Sequence, residues 1–350
     1  MKNFKIKNRL ISDEKSPLII GEVSANHSNS LKKIYKIIDI AKEIKMEAIK
    51  FQTFHLDEMT LNLNKNEFRI KNKSFDNKKW NNRSLYSLYK EAQLPFEWHK
   101  PIFKYAQKKG IICFSSVFDR PSLKLLKSLK CPAYKIASLE SMHFPLIKAV
   151  IKEKKPIIIS TGTLSIKEIE VMEHFLKKNK ANYSILHCIT EYPADKKNCN
   201  LKLIPFFKKK FNCPIGFSDH TNDNVAALSA VSLGANIIEK HFKLKKNDKT
   251  LDSKFSISPE EMEELIIKSK ETWLTLGKEK KIKEKKSYLN LRRSIYVTRT
   301  INDGEKISKE NIKIIRPGFG LEPKYFNQLI GKRVKKKLTK GEALKLKYII

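Results

Sequence analysis

Two histidines, His220 and His241, each follow a short apolar run, and a helix-length segment (residues 224–234) lies between them. The stretches Gly-Phe-Ser-Asp-His-Thr (216–221) and Ile-Ile-Glu-Lys-His-Phe (237–242) have the outline of a βαβ unit. Parallel strands in such a unit end on the same side, about 5 Å apart if they are neighbours. Two imidazoles placed there can share one divalent ion and leave coordination positions open, as a catalytic metal requires. A lone histidine at a strand end is more often a satisfied polar residue than a ligand. Two at matching positions, with Ser218, Asp219, Glu239 and Lys240 around them, favour the ion.

A second set of residues points to an anion. Lys50, Lys135, Ser138, Ser160, Thr161 and Ser218 are cationic and hydroxyl donors at the ends of β-rich runs, suited to a small phosphorylated and carboxylated ligand. The sequence has no glycine-rich phosphate loop, but a helix begins after Thr161, and its N-terminus would add to phosphate binding. Each lysine alone fits a buried salt bridge equally well; the set together favours phosphate. Glu22, at another strand end, is the candidate base beside the ion.

The elements that must bring these residues together are eight short β-rich runs separated by helix-like segments: 18–23, 47–51, 111–117, 133–137, 156–160, 183–189, 214–217 and 236–239. That alternation predicts an α/β fold, a (β/α)8 TIM barrel, with a doubly wound open sheet as the alternative. Polar residues end every run, as a barrel needs when its chemistry is drawn from the C-terminal ends of many strands. The connection from His55 to about Arg83 is too long for an ordinary βα loop. Its anchors Met59, Leu61, Phe68, Phe75 and Trp80 suggest a flap over the barrel mouth, although a surface insertion also fits. Trp98 reads as core.

The pattern changes towards the C-terminus. A TIM-barrel domain is expected over 1–277, a charged linker over 278–286, and a compact, mostly β domain over 287–350, where Gly- and Pro-containing turns replace helix signals. The turn Arg-Pro-Gly-Phe-Gly (316–320) is an exposed candidate for reaching a ligand, and turn formation alone explains it too.

Composition narrows the class. At 350 residues and 41% hydrophobic content the chain can bury one large core and a small second one. No apolar run approaches the ~20 residues of a membrane span, and the N-terminal segment has no signal-peptide core, so a cytoplasmic enzyme is expected. Five cysteines without a CxxC pair fit reduced thiols rather than disulfides or a zinc cage. The net charge of +35 invites a nucleic-acid reading. The lysines are scattered over nearly every predicted helix and no base-reading motif is present, so specific nucleic-acid binding is not expected.

The ordered motifs Gly-Glu-Val-Ser-Ala-Asn-His (21–27), Ile-Lys-Phe-Gln-Thr-Phe (49–54), Tyr-Lys-Ile-Ala-Ser (134–138), Ser-Thr-Gly (160–162), Gly-Phe-Ser-Asp-His-Thr (216–221) and Glu-Lys-His-Phe (239–242) resemble the sialic acid synthase family. The resemblance includes a C-terminal antifreeze-like (SAF) domain. Residues 85–99, 252–256, 292–297 and 316–325 are similar to the branch of that family that makes pseudaminic acid. The resemblance implies condensation of phosphoenolpyruvate with an open-chain amino sugar and release of phosphate by C–O cleavage. For this branch the sugar would be 2,4-diacetamido-2,4,6-trideoxy-altrose; the neuraminate and legionaminate branches run the same chemistry on other sugars. It further implies a divalent metal (Mn2+, Mg2+ or Co2+) on His220 and His241. Phosphoenolpyruvate would be gripped by Lys50, Lys135, Ser138, Ser160, Ser218 and Thr190. Gln52, Glu140, Tyr192 and Asp252 would lie on the sugar side, and Arg316 would reach the sugar from the partner subunit of a domain-swapped homodimer. Thr190 departs from the Asn of the neuraminate-making branch, which puts that substrate in doubt more than the chemistry.

Overall fold

The structure is a computed structural model that describes residues 3–70, 80–277 and 286–350. The chain divides into two compact units, Met1–Gly277 and Lys278–Ile350. The first opens with an antiparallel hairpin of β1 (Phe4–Ile6) and β2 (Arg9–Ile11), whose Phe4, Ile6 and Ile11 are buried in the main core. The sequence reading did not foresee it. Three residues per strand are too few to show a period, and Lys7, at φ 51°, takes a left-handed turn position usually marked by Gly or Asn.

Eight parallel strands follow: β3 (Leu18–Glu22), β4 (Ala48–Thr53), β5 (Ile112–Val117), β6 (Tyr134–Ile136), β7 (Ile157–Ser160), β8 (Tyr183–Cys188), β9 (Ile215–Asp219) and β10 (Ile237–His241). They pair in chain order, and β10 closes onto β3 with Ile237 opposite Leu18 and His241 opposite Glu22. The sheet is therefore the closed barrel and not the open alternative. Its strands read as continuous apolar runs such as Ile157–Ile159, all fully buried, because helices cover the outer face while side chains fill the interior. Each buried isoleucine of this kind contributes about 1.5–3 kcal/mol.

The covering helices start where the sequence supplies caps. Ser165 and Glu168 form a capping box for helix Ile166–Lys178, and Ser258 and Glu261 do the same for Pro259–Leu276. Three strands run two residues past their expected ends, one of them β4, which continues to Thr53. β9 continues to Asp219 and β10 to His241, two residues beyond the apolar runs, because Lys240 and Asp219 are partners across the ladder and satisfy each other's charge.

The second unit has its own core of Ile295, Val297, Ile301, Ile312, Leu338 and Leu344, among others. Strands β11 (Ser294–Val297) and β12 (Ile312–Ile315) pair antiparallel, and isolated bridges such as Ile301 to Leu338 and Val334 to Ile349 extend the pairing. The linker expected over 278–286 lies, except for its last residue, outside the described residues. Among the described residues no helix is long and apolar enough to cross a membrane.

Candidate active site

The ends of the barrel strands place two lysines and two carboxylates in one buried layer. Glu22, Lys50, Lys135 and Glu239 are each no more than 6% exposed. The Lys50 ammonium pairs with Glu22, donates to Ser116 Oγ at 2.9 Å and lies 3.7 Å from Glu239 Oε2. Lys135 donates to Ser160 Oγ at 2.7 Å and to the Ile136 carbonyl at 3.1 Å, with Glu239 Oε1 at 3.8 Å. Ser218 donates to the same Glu239 oxygen at 3.2 Å, and Gln52 donates to Glu22 Oε1 at 3.1 Å.

Burial sets the protonation of this layer. It lifts the Glu22 carboxyl to about 7, with Lys50 pulling the other way and Glu239 adding to the rise. Lys50 is raised because Glu22 and Glu239 outweigh the desolvation that would depress it. Desolvation wins at Lys135, whose pKa is lowered. Glu239 is lowered, since Lys135 and Lys50 together overcome its burial.

His220 and His241 stand beside this layer on adjacent strand ends, with ring centroids 5.4 Å apart. Burial lowers the His220 pKa to about 4, and burial followed by repulsion from His220 takes His241 well below its ordinary value, so both rings are neutral. His220 Nδ1 lies 2.8 Å from the Ile189 carbonyl, which only accepts, so the proton is fixed there and Nε2 carries the lone pair. His241 Nδ1 is buried without a hydrogen-bond partner. Two neutral imidazoles, one with an orphaned nitrogen, fit a divalent ion. Among the described residues no group of three or more His, Cys, Asp or Glu is arranged to hold a metal.

Above the layer is a cavity of about 320 Å3. Its polar wall includes Gln52, Ser138, Glu140, Thr190, Tyr192, His241 and Asp252, drawn from distant parts of the chain. Burial raises Glu140 to about 7 against the pull of Lys135, and its Oε2 has no hydrogen-bond partner. The Tyr192 ring lies 4.2 Å from that of His220. Asp252 accepts from the Ala25 amide at 3.0 Å and so also ties down the segment after β3. Ser138 Oγ accepts from the Gly162 amide at 2.9 Å. A Cβ at Gly162 would come 2.2 Å from Thr190 Oγ1 and 3.0 Å from Cys188 Sγ, so only glycine leaves that cradle open. Arg316 is exposed in the C-terminal unit.

Some features escaped the sequence reading. Glu239, read from the sequence only as a neighbour of the histidines, joins both lysines and Ser218, and the signal for that role was its place two residues before His241, on the same face of β10. The apolar wall was foreseen only at Met59 and Trp80. Phe54, Met59, Leu88, Tyr89 and Phe118 line the cavity, and Phe54 packs edge-on against both Tyr89 (5.9 Å) and Phe118 (5.8 Å). Of the anchors expected in the long connection, Met59 and Trp80 do line the cavity and Phe68 is half-buried, but Leu61 is 58% exposed; Phe75 lies outside the described residues.

Comparison with known proteins gives this geometry a family. The NeuB family matches residues 37–281, and the SAF domain matches residues 292–348. The chain belongs to the NeuB family. The recognition read from the motifs is thereby borne out, and with it the enzyme class of a transferase that uses phosphoenolpyruvate. Within the NeuB family the chain is 40% identical over 335 residues to a pseudaminic acid synthase of Campylobacter jejuni, covering 95% of this chain and 96% of that protein. It is 32% identical to an N,N'-diacetyllegionaminic acid synthase of the same species, covering 95% and 99%. Among solved structures it is similar to an N-acetylneuraminic acid synthetase from Leptospira borgpetersenii, crystallised with citrate, at 30% identity and a TM-score of 0.72, covering 82% of this chain and 94% of that one.

Proposed function

We propose that this enzyme condenses phosphoenolpyruvate with 2,4-diacetamido-2,4,6-trideoxy-altrose and water to give pseudaminic acid and phosphate. The observation that carries the reading is a cavity lined by polar strand-end groups, with Gln52 tied to the Glu22–Lys50 layer, and by an apolar wall. A sugar bearing two acetamido methyls and a deoxy carbon has the apolar surface to match that wall, and N-acetylmannosamine has less. The greater similarity to the pseudaminic than to the legionaminic relative agrees with this choice.

In this scheme Lys50 and Lys135, with the hydroxyls of Ser138, Ser160, Ser218 and Thr190, hold phosphoenolpyruvate by its carboxylate and phosphate. A divalent ion (Mn2+, Mg2+ or Co2+) on His220 and His241 would supply Lewis-acid activation of the sugar aldehyde. Gln52, Glu140, Tyr192 and Asp252 orient the sugar so that its aldehyde carbon meets the methylene carbon of phosphoenolpyruvate. Glu22 takes the proton of the water that adds at the enol carbon, and collapse of that tetrahedral centre breaks its C–O bond to phosphate. A carboxyl at about 7 serves as base only when deprotonated, so phosphate release should fall as pH drops below neutrality. The same reading assigns Arg316 to the sugar across a domain-swapped homodimer in the cytoplasm; a monomer with full activity in dilute solution contradicts that assignment.

The test is mass spectrometry of products from phosphoenolpyruvate labelled with 18O at its bridging oxygen, offered separately with the diacetamido-altrose, the legionaminate precursor and N-acetylmannosamine. Pseudaminic acid from the altrose, with the label in phosphate, is expected. Unlabelled phosphate would refute C–O cleavage, and turnover of only another sugar would move the chain to another branch.

A further inference from the structure

Lys240 lies between Glu239 and His241 on β10, yet its ammonium takes no part in the polar layer those residues serve. It is fully buried, as is Asp219, its partner across the ladder on β9. The ammonium donates to Asp219 Oδ2 at 2.6 Å, to the Thr221 carbonyl at 2.8 Å and hydroxyl at 3.2 Å, and to the Asp223 carbonyl at 2.7 Å. The other Asp219 oxygen accepts from the Thr221 amide at 2.8 Å. Residues 219, 221 and 223 thus converge on one amino group. His220 sits between two of them, and His241 is the next residue after the lysine itself.

A buried ion pair is a poor device for stability, because apolar residues of the same volume often hold a fold as well. What an ammonium with four acceptors does provide is a fixed geometry: three backbone positions cannot move independently once they share it. Elsewhere along β10 the buried residue on the same face as Lys240, Ile238, fills space without such a network. The ion pair occupies the last rung of the ladder before the two imidazoles.

We infer that Lys240, with Asp219, is a positioning residue that fixes the spacing and orientation of the His220 and His241 imidazoles and thereby sets the protein's affinity for a divalent cation. The inference rests on the reading that those histidines hold the ion. It is tested on the full-length protein, stripped of metal, by titrating Mn2+ and following the free-ion signal in electron paramagnetic resonance. Wild type, His241→Ala, Lys240→Arg and the paired apolar replacement Lys240→Met with Asp219→Leu are compared, with near-ultraviolet circular dichroism as the check on folding.

The paired variant should keep its fold and bind Mn2+ about 10–100-fold more weakly, Lys240→Arg should fall between it and wild type, and saturating Mn2+ should restore phosphate release. A folded paired variant with wild-type affinity overturns the inference. If the paired variant does not fold, Asp219→Asn, which keeps the shape and loses the charge, is read in the same way: weaker Mn2+ binding supports positioning and unchanged binding overturns it. Wild-type affinity in His241→Ala would remove the metal reading itself, and the inference with it, whereas loss in His241→Ala with no loss in the paired variant rejects the positioning role alone.

Discussion

The buried polar layer at the strand ends and the apolar wall of Phe54, Met59, Leu88, Tyr89 and Phe118 are held together on different terms. In the layer each group is held by others: Lys50 by Glu22 and Ser116, Lys135 by Ser160, Ser218 by Glu239. On the wall the contacts are ring edges and methyls, such as Phe54 against Tyr89 and Phe118. A network of buried charges is intolerant of change, because removing one partner strands another. An apolar wall can be reshaped with modest cost. On the proposed function, the chemistry common to the family is assigned to the first and the choice of sugar to the second.

That contrast can be broken most severely at Lys50. Lys50→Met leaves Glu22 and Glu239 without their cation and, on the proposed function, removes a phosphoenolpyruvate contact, so kcat for phosphate release should fall about a thousandfold with every sugar. A loss confined to one sugar would show that the layer also reads the substrate. Gly162→Ala should come next. Its Cβ would displace Thr190 and Cys188 from the cradle, and a shift near 1 Å in a bound reactant costs about a hundredfold in kcat/KM. Steady-state kinetics in phosphoenolpyruvate measure it.

On the wall the expected effects are smaller and different in kind. Met59→Gln keeps length and adds an amide, so the preference for the diacetamido sugar over N-acetylmannosamine should drop about tenfold, read from the two kcat/KM values. The smallest effect lies at Glu140, between the two regions. Its carboxyl is raised from 4.5 to about 7 by burial, so across that window the native state keeps a proton that the unfolded chain has lost. Stability contributed by this group therefore falls as pH rises from about 4.5 to about 7. Glu140→Gln should flatten that part of the pH profile, measured as the denaturation midpoint at each pH.

The same contrast explains what could be read from the chain. The barrel was legible because eight apolar runs end in polar residues, and both metal candidates, both lysines and Glu22 stand at those ends. Spacing of two along a strand decides which side chains share a face, and that period survives without a structure. The wall has no such period: Phe54, Met59 and Tyr89 meet only because the connection folds back over the strand ends. Lys240 was visible as a charge beside His241, but the loop carbonyls that share its ammonium are set by tertiary folding. The first hairpin was hidden for a simpler reason: three residues per strand are too few to show a repeating pattern.

The division of labour is tested most directly by phosphate release from phosphoenolpyruvate with Mn2+, measured for the diacetamido-altrose and for N-acetylmannosamine in wild type, Lys135→Met and Met59→Gln. Wild type should favour the altrose; Lys135→Met should slow both sugars by the same factor and leave their ratio intact, while Met59→Gln should change the ratio and spare the slower sugar. A ratio altered by Lys135→Met and untouched by Met59→Gln would contradict the account.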